Sequence, residues 1–254
     1  MVCGFFFSNG QSVTWSSMSK PRIMPLGEQC LVVEFGRGMD PVWSDQALSL
    51  HRRLMAQPFP GYIESIPAYS SLTVCLDVER WCQSNPLRNT TAVESAILYL
   101  ERLLDRSDAD ASFDEEEAVV VPVCYDVSLA PDIERVAGLK GLTIEEVVRL
   151  HTSTTYRVYM NGFVPGFPYL GILPAELEMP RKSTPSLRVP AGSVAIAGRQ
   201  TGVYPFETPG GWQVIGRTPW KLFDKSADPC CLLRPGMRVR FEAVAADRLN
   251  AIIP

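Results

Sequence analysis

Basic side chains are concentrated in one stretch of an otherwise acidic chain. Residues 157–217 carry six of them against three glutamates, whereas the whole chain of 254 residues has a formal net charge of −4. The six are Arg157, Arg181, Lys182, Arg188, Arg199 and Arg217. A positive region on a negative protein favours an anionic ligand, and a guanidinium can donate two parallel hydrogen bonds to a carboxylate or phosphate. We therefore expect an anion site, to which Arg181 and Lys182 belong unless they are simply exposed charges on a loop.

His151 is the second candidate for chemistry. The chain has only two histidines, and the other, His51, has no second histidine or metal-ligand cluster beside it, which is typical of a surface or boundary residue. An imidazole carries protons near neutral pH, which favours a role in catalysis. At the end of a predicted helix it also stabilises the C-terminal carbonyl groups, which is the structural alternative.

Glycines and prolines between these charges predict short strands joined by tight turns. Nine of the 18 glycines and nine of the 21 prolines lie between residues 161 and 220. Within this region, Gly162–Gly171 either brings backbone N–H groups close to an anion or forms the corner of a barrel. Gln200, Thr201 and Tyr204 follow a predicted strand, where they are candidates to line a polar pocket.

Composition limits the class of protein. With 46% hydrophobic and 20% charged residues, the chain is typical of a globular protein, and no apolar run approaches the roughly 20 residues of a membrane-spanning helix. A pI near 5.3 argues against a nucleic-acid partner. The seven cysteines include no C-x-x-C motif, so we predict reduced thiols and a cytoplasmic location.

Hydrophobic periodicity predicts a small α+β domain over residues 21–104, close to a ferredoxin-like half-sandwich with the order β-α-β-β-α. The predicted strands are Gln29–Phe35, Tyr62–Ile66 and Ser70–Asp77, and the predicted helices run from Pro41 to Ala56 and from Thr91 to Leu104. Residues 1–20 offer no packing pattern and no basic start of a signal peptide, so we expect a disordered extension or a true translation start at Met18. Residues 105–117 carry seven acids and one arginine, which predicts a solvated linker.

Residues 118–254 form the second predicted domain. Its helices are expected at Pro131–Ala137 and Thr143–His151, the latter opened by a capping box of Thr143 and Glu146. Its short strands, separated by Pro/Gly turns, predict a small closed or half-open β-barrel. Those strands are expected at Ala118–Cys124, Thr154–Phe163, Gly192–Ala197, Gln213–Ile215, Lys221–Phe223 and Met237–Glu242.

Long sequence motifs in both halves carry a family resemblance. In the first half they are LVVEFG (31–36) and IPAYSSLTV (66–74). In the second half they are VPVCY (121–125), LHTS (150–153), GFVPGFPYLG (162–171), PRKSTP (180–185), VPAGSVAIAGRQTGVYP (189–205), TPGGWQVIGRTP (208–219), LFD (222–224) and LLRPGMRVRF (232–241). With these the chain resembles the family of the B component of the prokaryotic ATP-dependent 5-oxoprolinase. That family includes sporulation-kinase inhibitors and is similar to the first half of the carboxyltransferase domain of urea carboxylase.

The resemblance implies an α+β N-terminal domain followed by a cyclophilin-like β-barrel. It also implies a cytoplasmic enzyme subunit that is inactive alone. Its partners in a heteromeric complex would be one like the C component of the enzyme and a lactam-utilisation protein like its A component. That complex uses ATP, with Mg expected beside it, to phosphorylate 5-oxoproline for ring opening to L-glutamate. The alternatives are a non-catalytic inhibitor of a sensor histidine kinase and the carboxyltransferase component of a urea carboxylase or allophanate hydrolase system.

Missing motifs favour a composite site. The chain has no Walker-type phosphate loop, no Met-Lys-Met biotin-carrier signature and no G-x-S-x-G nucleophile elbow. One departure from the family pattern is Ser186, which stands where an arginine is usual. Arg188 is a candidate to replace that arginine. A second is the loop Asp126–Leu129, where a glycine-rich turn is usual.

Together, these observations assign the candidate site. His151 and Arg157 are the predicted catalytic residues, Trp212 is a predicted anchor at a partner interface or in the core, and no metal site is expected. Predicted to bind substrate or anion are Gly166, Phe167, Tyr169, Arg181, Arg188, Gln200, Thr201, Tyr204 and Arg217.

Overall fold

Alternating buried side chains build an antiparallel sheet in the first half of the chain. The computed structural model describes residues 20–85, 90–105 and 117–251, so the predicted extension and acidic linker lie almost wholly outside the described residues. The strands of the sheet are β1 (Arg22–Leu26), β2 (Cys30–Glu34), β3 (Tyr62–Ala68) and β4 (Ser71–Leu76). They have the order β1-β2-β4-β3, and every neighbouring pair is antiparallel.

Three helices accompany this sheet: α1 (Pro41–Ala56), α2 (Val78–Ser84) and α3 (Ala92–Asp105). Helix α1 begins where the sequence predicts, because the Asp40 carboxylate accepts a hydrogen bond from the Val42 N–H and Pro41 occupies the first turn. Leu31 and Val33 of β2 and Leu72 and Val74 of β4 point into one apolar core beneath the helices. Because side chains alternate between the two faces of a strand, the apolar residues of β2 and β4 lie together on the face that the helices cover.

The connectivity of the first half confirms a ferredoxin-like, α+β arrangement. Strands β2 and β3 are joined through α1 and have β4 inserted between them, which is a split β-α-β unit. Strand β1 occupies the edge beside β2. The sequence prediction missed β1 and α2, which are only five and seven residues long.

A disulfide corrects the prediction that all thiols are reduced. Cys30 and Cys75 lie directly opposite each other on β2 and β4, and their sulfurs are bonded. The pairing arises from strand register across 45 residues of sequence, which the spacing of cysteines does not disclose. The free cysteines among the described residues are Cys82, Cys124, Cys230 and Cys231.

The second half forms a seven-stranded barrel. Its strands are β5 (Val119–Val123), β6 (Thr155–Asn161), β7 (Pro168–Gly171), β9 (Ser193–Ala197), β10 (Gln200–Val203), β12 (Gln213–Arg217) and β13 (Arg238–Ala243). They have the order β12-β9-β10-β7-β6-β13-β5. Reciprocal backbone hydrogen bonds of 2.8 Å between Cys124 and Arg217 join the two outermost strands, so the sheet is nearly closed. The predicted cyclophilin-like β-barrel is therefore confirmed.

Helices α4 (Ile133–Lys140) and α5 (Ile144–Thr152) pack their apolar faces onto the barrel core. The capping box at the start of α5 is present, with the Thr143 hydroxyl and the Glu146 carboxylate each accepting a backbone N–H. A separate two-stranded arm consists of β8 (Ser186–Val189) and β11 (Thr208–Gly210). Among the described residues, no helix is long and apolar enough to cross a membrane.

In the second half of the chain, the strand prediction has one false strand and four omissions. Lys221–Phe223 is not a strand, since only Phe223 forms an isolated bridge, with Cys231. Strands β7, β8, β10 and β11 were not predicted, because each is only three or four residues long and contains or borders glycine or proline. Backbone pairing with distant strands stabilises these segments in spite of their weak local preference.

Candidate functional site

Arg181 is an exposed residue on a loop that is anchored on both sides. The carbonyl group of Pro180 accepts a hydrogen bond of 3.0 Å from Nε2 of the buried Gln213. On the other side, the Lys182 N–H donates to the carbonyl group of Gly211 over 2.7 Å. Both contacts tie the loop to the region around the start of β12. The guanidinium is therefore presented to solvent from a fixed backbone, which suits a residue that must meet a ligand.

Lys182, by contrast, is used inside the protein. Its ammonium group forms an ion pair with Asp132, and the side chains of the two residues are only 11% and 12% exposed. The same Asp132 carboxylate accepts the Val214 N–H over 2.7 Å, and the lysine also donates to Ser186 Oγ over 3.1 Å. The pair holds the loop to the start of α4 and to β12. We assign Lys182 to the support of the loop and not to an anion site.

Three tyrosine hydroxyl groups lie within the electrostatic reach of Arg181. Burial raises the pKa of Tyr69, Tyr169 and Tyr204, and the guanidinium partly offsets this increase at each of them. All three hydroxyls consequently stay protonated at neutral pH and can donate hydrogen bonds. The candidate site therefore combines one cation with neutral donors on an aromatic surface.

Aromatic rings pack edge to face beneath this surface. Phe167 contacts Tyr169, Tyr204 and Trp212 with ring centroids 4.9–5.4 Å apart, and Trp212 lies 5.7 Å from Tyr169. Phe167, Tyr204 and Trp212 are only 1%, 2% and 5% exposed, so all three support the half-buried Tyr169 from within, and Tyr204 does not contact a ligand as the sequence predicted. Phe163, which is 60% exposed, extends the cluster into solvent. This corrects the assignment of Phe167 to ligand contact and of Trp212 to an interface, and selects the core role for Trp212.

Gly210 allows Tyr204 to reach its position. A Cβ atom at residue 210 would lie 2.3 Å from the Tyr204 hydroxyl and 2.8 Å from its ring, where no side chain fits. Tyr204 therefore passes over the bare backbone of the β11 strand and forms a hydrogen bond with the backbone of Trp212. The close approach explains why a glycine occupies this position of the TPGGW motif.

Tyr69 joins the site from the N-terminal sheet, and sequence reasoning missed it. It lies at the tip of the β3–β4 hairpin with φ of +52°, a region that costs a bulky residue roughly 1–3 kcal/mol. Its hydroxyl accepts a hydrogen bond of 3.0 Å from Nε2 of Gln200, and its ring stacks on Tyr159 with centroids 6.1 Å apart. The signal available in the sequence was the motif IPAYSSLTV, whose tyrosine had no assigned role.

His151 belongs to the core and not to the site, contrary to the sequence assignment. It is fully buried, its ring stacks on Phe241 at 4.6 Å, and both ring nitrogens have partners. Because the Thr201 hydroxyl donates to the Ala195 carbonyl, it accepts from His151 Nε2 over 2.9 Å, so Nδ1 accepts from the Tyr125 hydroxyl over 2.7 Å. Burial lowers the pKa of His151 to about 3. Neutral His151 and Thr201 thus form part of a buried hydrogen-bond chain without access to a ligand.

Two predicted arginines have structural partners. Arg157 on β6 forms a half-buried ion pair with Asp45, and so connects the barrel to helix α1 of the N-terminal half. Arg217 closes the barrel through its backbone, while its Nε donates to the Ala191 carbonyl over 3.1 Å. These contacts give both residues a role in the fold, and the roles in catalysis and anion binding that the sequence suggested for them stay predictions.

The remaining two predicted residues have contacts outside the site. Arg188 pairs with Glu207 across the exposed β8–β11 arm, with 2.7 Å between Nη2 and Oε1, so it does not replace the arginine that is usual at Ser186. Gly166 turns the β6–β7 loop with φ of +79°, and a Cβ atom there would lie 2.7 Å from Phe223 Cβ. Gly166 thus forms the barrel corner, the second alternative for the glycine-rich segment.

The chain matches the model of a known protein family over most of its length. Residues 21–233 match the family model of the carboxyltransferase domain, subdomain C and D. This chain belongs to that family. The match extends over both the N-terminal sheet and most of the barrel, including the tip of the β3–β4 hairpin and the Arg181 loop.

Two relatives match nearly end to end. The B subunit of 5-oxoprolinase from Bacillus subtilis (strain 168) is 41% identical over 230 residues, which are 91% of this chain and 95% of the relative. The B subunit of 5-oxoprolinase from Escherichia coli O157:H7 is 42% identical over 224 residues, which are 88% of this chain and 96% of the relative. The resemblance drawn from sequence motifs is confirmed by these matches.

Solved structures support the fold. The crystal structure of TTHA0988 is 36% identical with a TM-score of 0.72, and the match covers 86% of this chain but only 40% of that longer chain. PH0987 from Pyrococcus horikoshii is 34% identical with a TM-score of 0.52, over 90% of this chain and all of that one. The Kluyveromyces lactis urea carboxylase, at 18% identity and a TM-score of 0.66 over 94% of this chain and 23% of that one, shares the fold.

Proposed function

We propose that this chain is a subunit of an ATP-dependent 5-oxoprolinase, which phosphorylates 5-oxoproline for ring opening to L-glutamate. The observation that carries the proposal is its 41% and 42% identity to proteins named as B subunits of 5-oxoprolinase, over almost their whole length. Such a name implies partner subunits, for which we propose one like the C component of the enzyme and one like its A component. We place the complex in the cytoplasm, where ATP is available.

The geometry around Arg181 supports a small, carboxylate-bearing substrate. An exposed guanidinium on an anchored loop can hold a carboxylate with two parallel hydrogen bonds. The half-buried Tyr69 and Tyr169 offer ring surface to a five-membered ring and neutral O–H groups to its polar groups, whereas Tyr204 is too deeply buried to do so. In this proposal the chain binds and orients 5-oxoproline, and its residues exclude water from one side of the ring.

The same residues do not form a site for Mg-ATP. Magnesium prefers carboxylate ligands, whereas the candidate site consists of an arginine, a glutamine and tyrosines. Among the described residues there is no group of three or more histidine, cysteine or acidic side chains arranged to hold a metal ion. We therefore propose that the partner subunits hold Mg-ATP, and that it supplies the phosphoryl group which makes the ring carbon electrophilic.

The proposal is tested by assembling the complex with and without this chain. ATP hydrolysis that depends on 5-oxoproline is expected only when the partner subunits are present together with this one. Arg181→Ala should lower that activity by about ten- to a hundredfold, because a charge-assisted hydrogen bond contributes roughly 1.5–3 kcal/mol. Arg181→Lys should restore little, since an ammonium group cannot make the paired contact.

Arg188→Ala is the matched control. It also removes an exposed arginine, but one that pairs with Glu207 on the two-stranded arm, and it should leave activity within about twofold of wild type. Full turnover by the isolated chain, or no response to 5-oxoproline in any assembled combination, would refute the proposed function. Equal losses in Arg181→Ala and Arg188→Ala would refute the assignment of the site.

A further inference from the structure

Two adjacent cysteines, Cys230 and Cys231, bring their sulfur atoms together at the surface. Both are free thiols, one exposed and the other half-buried, and their Sγ atoms lie 3.9 Å apart. Consecutive side chains of an extended segment point to opposite faces, so two neighbours do not normally meet in this way. Here the chain bends at Cys230, just before Cys231 pairs with Phe223 in a β-bridge, and the bend places both thiols together. One small ligand can therefore meet both sulfurs.

The backbone that carries the two thiols is held in place by a neighbouring segment. The Asp224 N–H donates to the Cys230 carbonyl group over 2.8 Å. The Leu232 N–H donates to the Leu222 carbonyl group over 2.9 Å. One bond lies before Cys231 and the other after it, so the positions of both thiols are set before any ligand arrives. Binding then orders little further chain, which favours affinity.

Amide groups of the barrel surround the inner of the two sulfurs. Burial and the neighbouring Cys230 thiol raise the pKa of Cys231, whereas the side-chain amide of Asn161 and the Gly166 N–H oppose that rise. The Asn161 amide is itself fixed, because its Nδ2 donates to the Leu233 carbonyl group over 2.8 Å. A cation between the sulfurs favours the ionised form of both thiols, since it compensates their negative charge.

A disulfide between the two residues is disfavoured by the covalent geometry of the chain. Consecutive Cα atoms lie about 3.8 Å apart, whereas the two residues of a disulfide usually have Cα atoms roughly 4.4–6.8 Å apart. A bond between adjacent cysteines is therefore strained and easily reduced. The pair stays available as two thiols.

The number of donors decides which class of cation fits. Among the described residues, no histidine, cysteine or acidic side chain joins these sulfurs to make a group of three or more metal ligands. Zinc in protein sites takes four ligands, so two sulfurs leave it incompletely coordinated. Monovalent copper is a soft ion that thiolates select, and two sulfurs satisfy it. Thiolate sulfurs lie about 2.3 Å from such a metal ion, so one ion can join sulfurs up to about 4.6 Å apart.

We propose that Cys230 and Cys231 form a two-thiolate site for a soft monovalent cation of the copper(I) class. One Cu(I) binds both sulfurs, the two thiols release two protons, and no electron is transferred. The site uses none of the residues assigned to 5-oxoproline, so this inference is independent of the proposed function.

Competition for Cu(I) in the full chain tests the site. Ascorbate keeps the copper monovalent without reducing the disulfide of Cys30 and Cys75, and a coloured Cu(I) chelator such as bicinchoninate reports the copper that the protein withdraws. Wild type should withdraw one Cu(I) per chain and should then resist alkylation at Cys230. X-ray absorption should show two sulfur ligands around the copper.

Single substitutions assign the binding to the pair. Cys230→Ser and Cys231→Ser should each weaken Cu(I) binding at least about a hundredfold, because one thiolate is left, without lowering the melting temperature by more than a few degrees. Cys82→Ser is the matched control, since it removes a half-buried free thiol of α2 and leaves the pair intact, and it should bind Cu(I) like wild type.

Several results would overturn the inference. The site does not exist if wild type withdraws no Cu(I), or if the two serine variants at the pair bind it as tightly as wild type. Three or more sulfur ligands around the copper would mean that the ion is shared between chains. Protection of both thiols by Zn²⁺ equal to that by Cu(I) would refute the two-coordinate assignment, and a disulfide between the pair in the purified chain would refute its availability as two thiols.

Discussion

The buried histidine gives the free energy of unfolding a specific dependence on pH. Burial lowers the pKa of His151 from 6.5 to about 3 in the folded chain. Between these two values the unfolded chain binds a proton that the folded chain does not, so the free energy of unfolding falls as the pH falls. The stabilising contribution is complete above about pH 6.5 and is lost progressively towards about pH 3.

The size of the effect follows from the same two pKa values. Each pH unit inside the window changes the free energy of unfolding by about 1.4 kcal/mol for one proton. On going from about pH 8 to about pH 5, His151 alone should therefore lower the free energy of unfolding by about 2 kcal/mol. Most carboxylates titrate only below this range. Protonation of His151 also disrupts the buried hydrogen-bond chain, because its Nδ1 can no longer accept a hydrogen bond from the Tyr125 hydroxyl.

Urea unfolding of the wild type and of His151→Gln at several pH values between 5 and 8 measures this contribution. Glutamine does not titrate, so the variant should be less stable at pH 8 by about 1–3 kcal/mol, yet lose about 2 kcal/mol less than wild type on going to pH 5. His51→Gln is the matched control; His51 is half-buried and hydrogen-bonded to Ser65, and its variant should retain most of the wild-type slope. Parallel pH profiles for wild type and His151→Gln would show that the imidazole is not held neutral by burial.

Two further predictions concern stability. Asp132→Asn leaves the Lys182 ammonium buried without its carboxylate and should lower the free energy of unfolding by about 3–5 kcal/mol, while Glu134→Gln on the exposed side of α4 should change it little; equal urea midpoints for the two variants contradict this. Cys75→Ser removes the bond to Cys30, which closes a loop of 45 residues, and should cost about 2–4 kcal/mol. A reductant should lower the free energy of unfolding of the wild type by the same amount and leave that of Cys75→Ser unchanged. If the reductant does not change the stability of the wild type, the disulfide is not formed in solution.

Local signals in the sequence were sufficient to predict where the longer helices begin or end. The bounds of α1 follow from Pro41 at the first turn and from the proline-rich segment after Ala56, and the start of α5 follows from its capping box. Both signals act within a few residues, so they depend little on tertiary structure. The β-α-β-β order and most barrel strands were predictable for the same reason, whereas β7 and β10, which depend on pairing with distant strands, were not.

The site was less predictable because it is made by contacts between distant residues. Tyr69 and Gln200 are 131 positions apart, and nothing local connects a hairpin tip with a barrel strand. The arginines show the same limit. Their residue type favoured anion binding, but only the fold reveals that Arg157 pairs with Asp45 while Arg181 stays exposed. Burial likewise decided between the two roles of His151.

Cys124 belongs to the pair of residues whose two backbone hydrogen bonds close the barrel. The rate at which its thiol is labelled can therefore report local opening of the barrel. Cys124 is a free cysteine that is only 2% exposed, and it lies at the junction where the Arg217 backbone meets β5. A thiol reagent reaches this buried sulfur only after the structure around it opens, so the labelling rate of Cys124, relative to that of an exposed thiol, reports the free energy of that opening. Cys230, which is exposed, supplies the unprotected rate in the same molecule. The ratio of the two rates would show whether binding a ligand or a partner protein tightens the barrel as a whole.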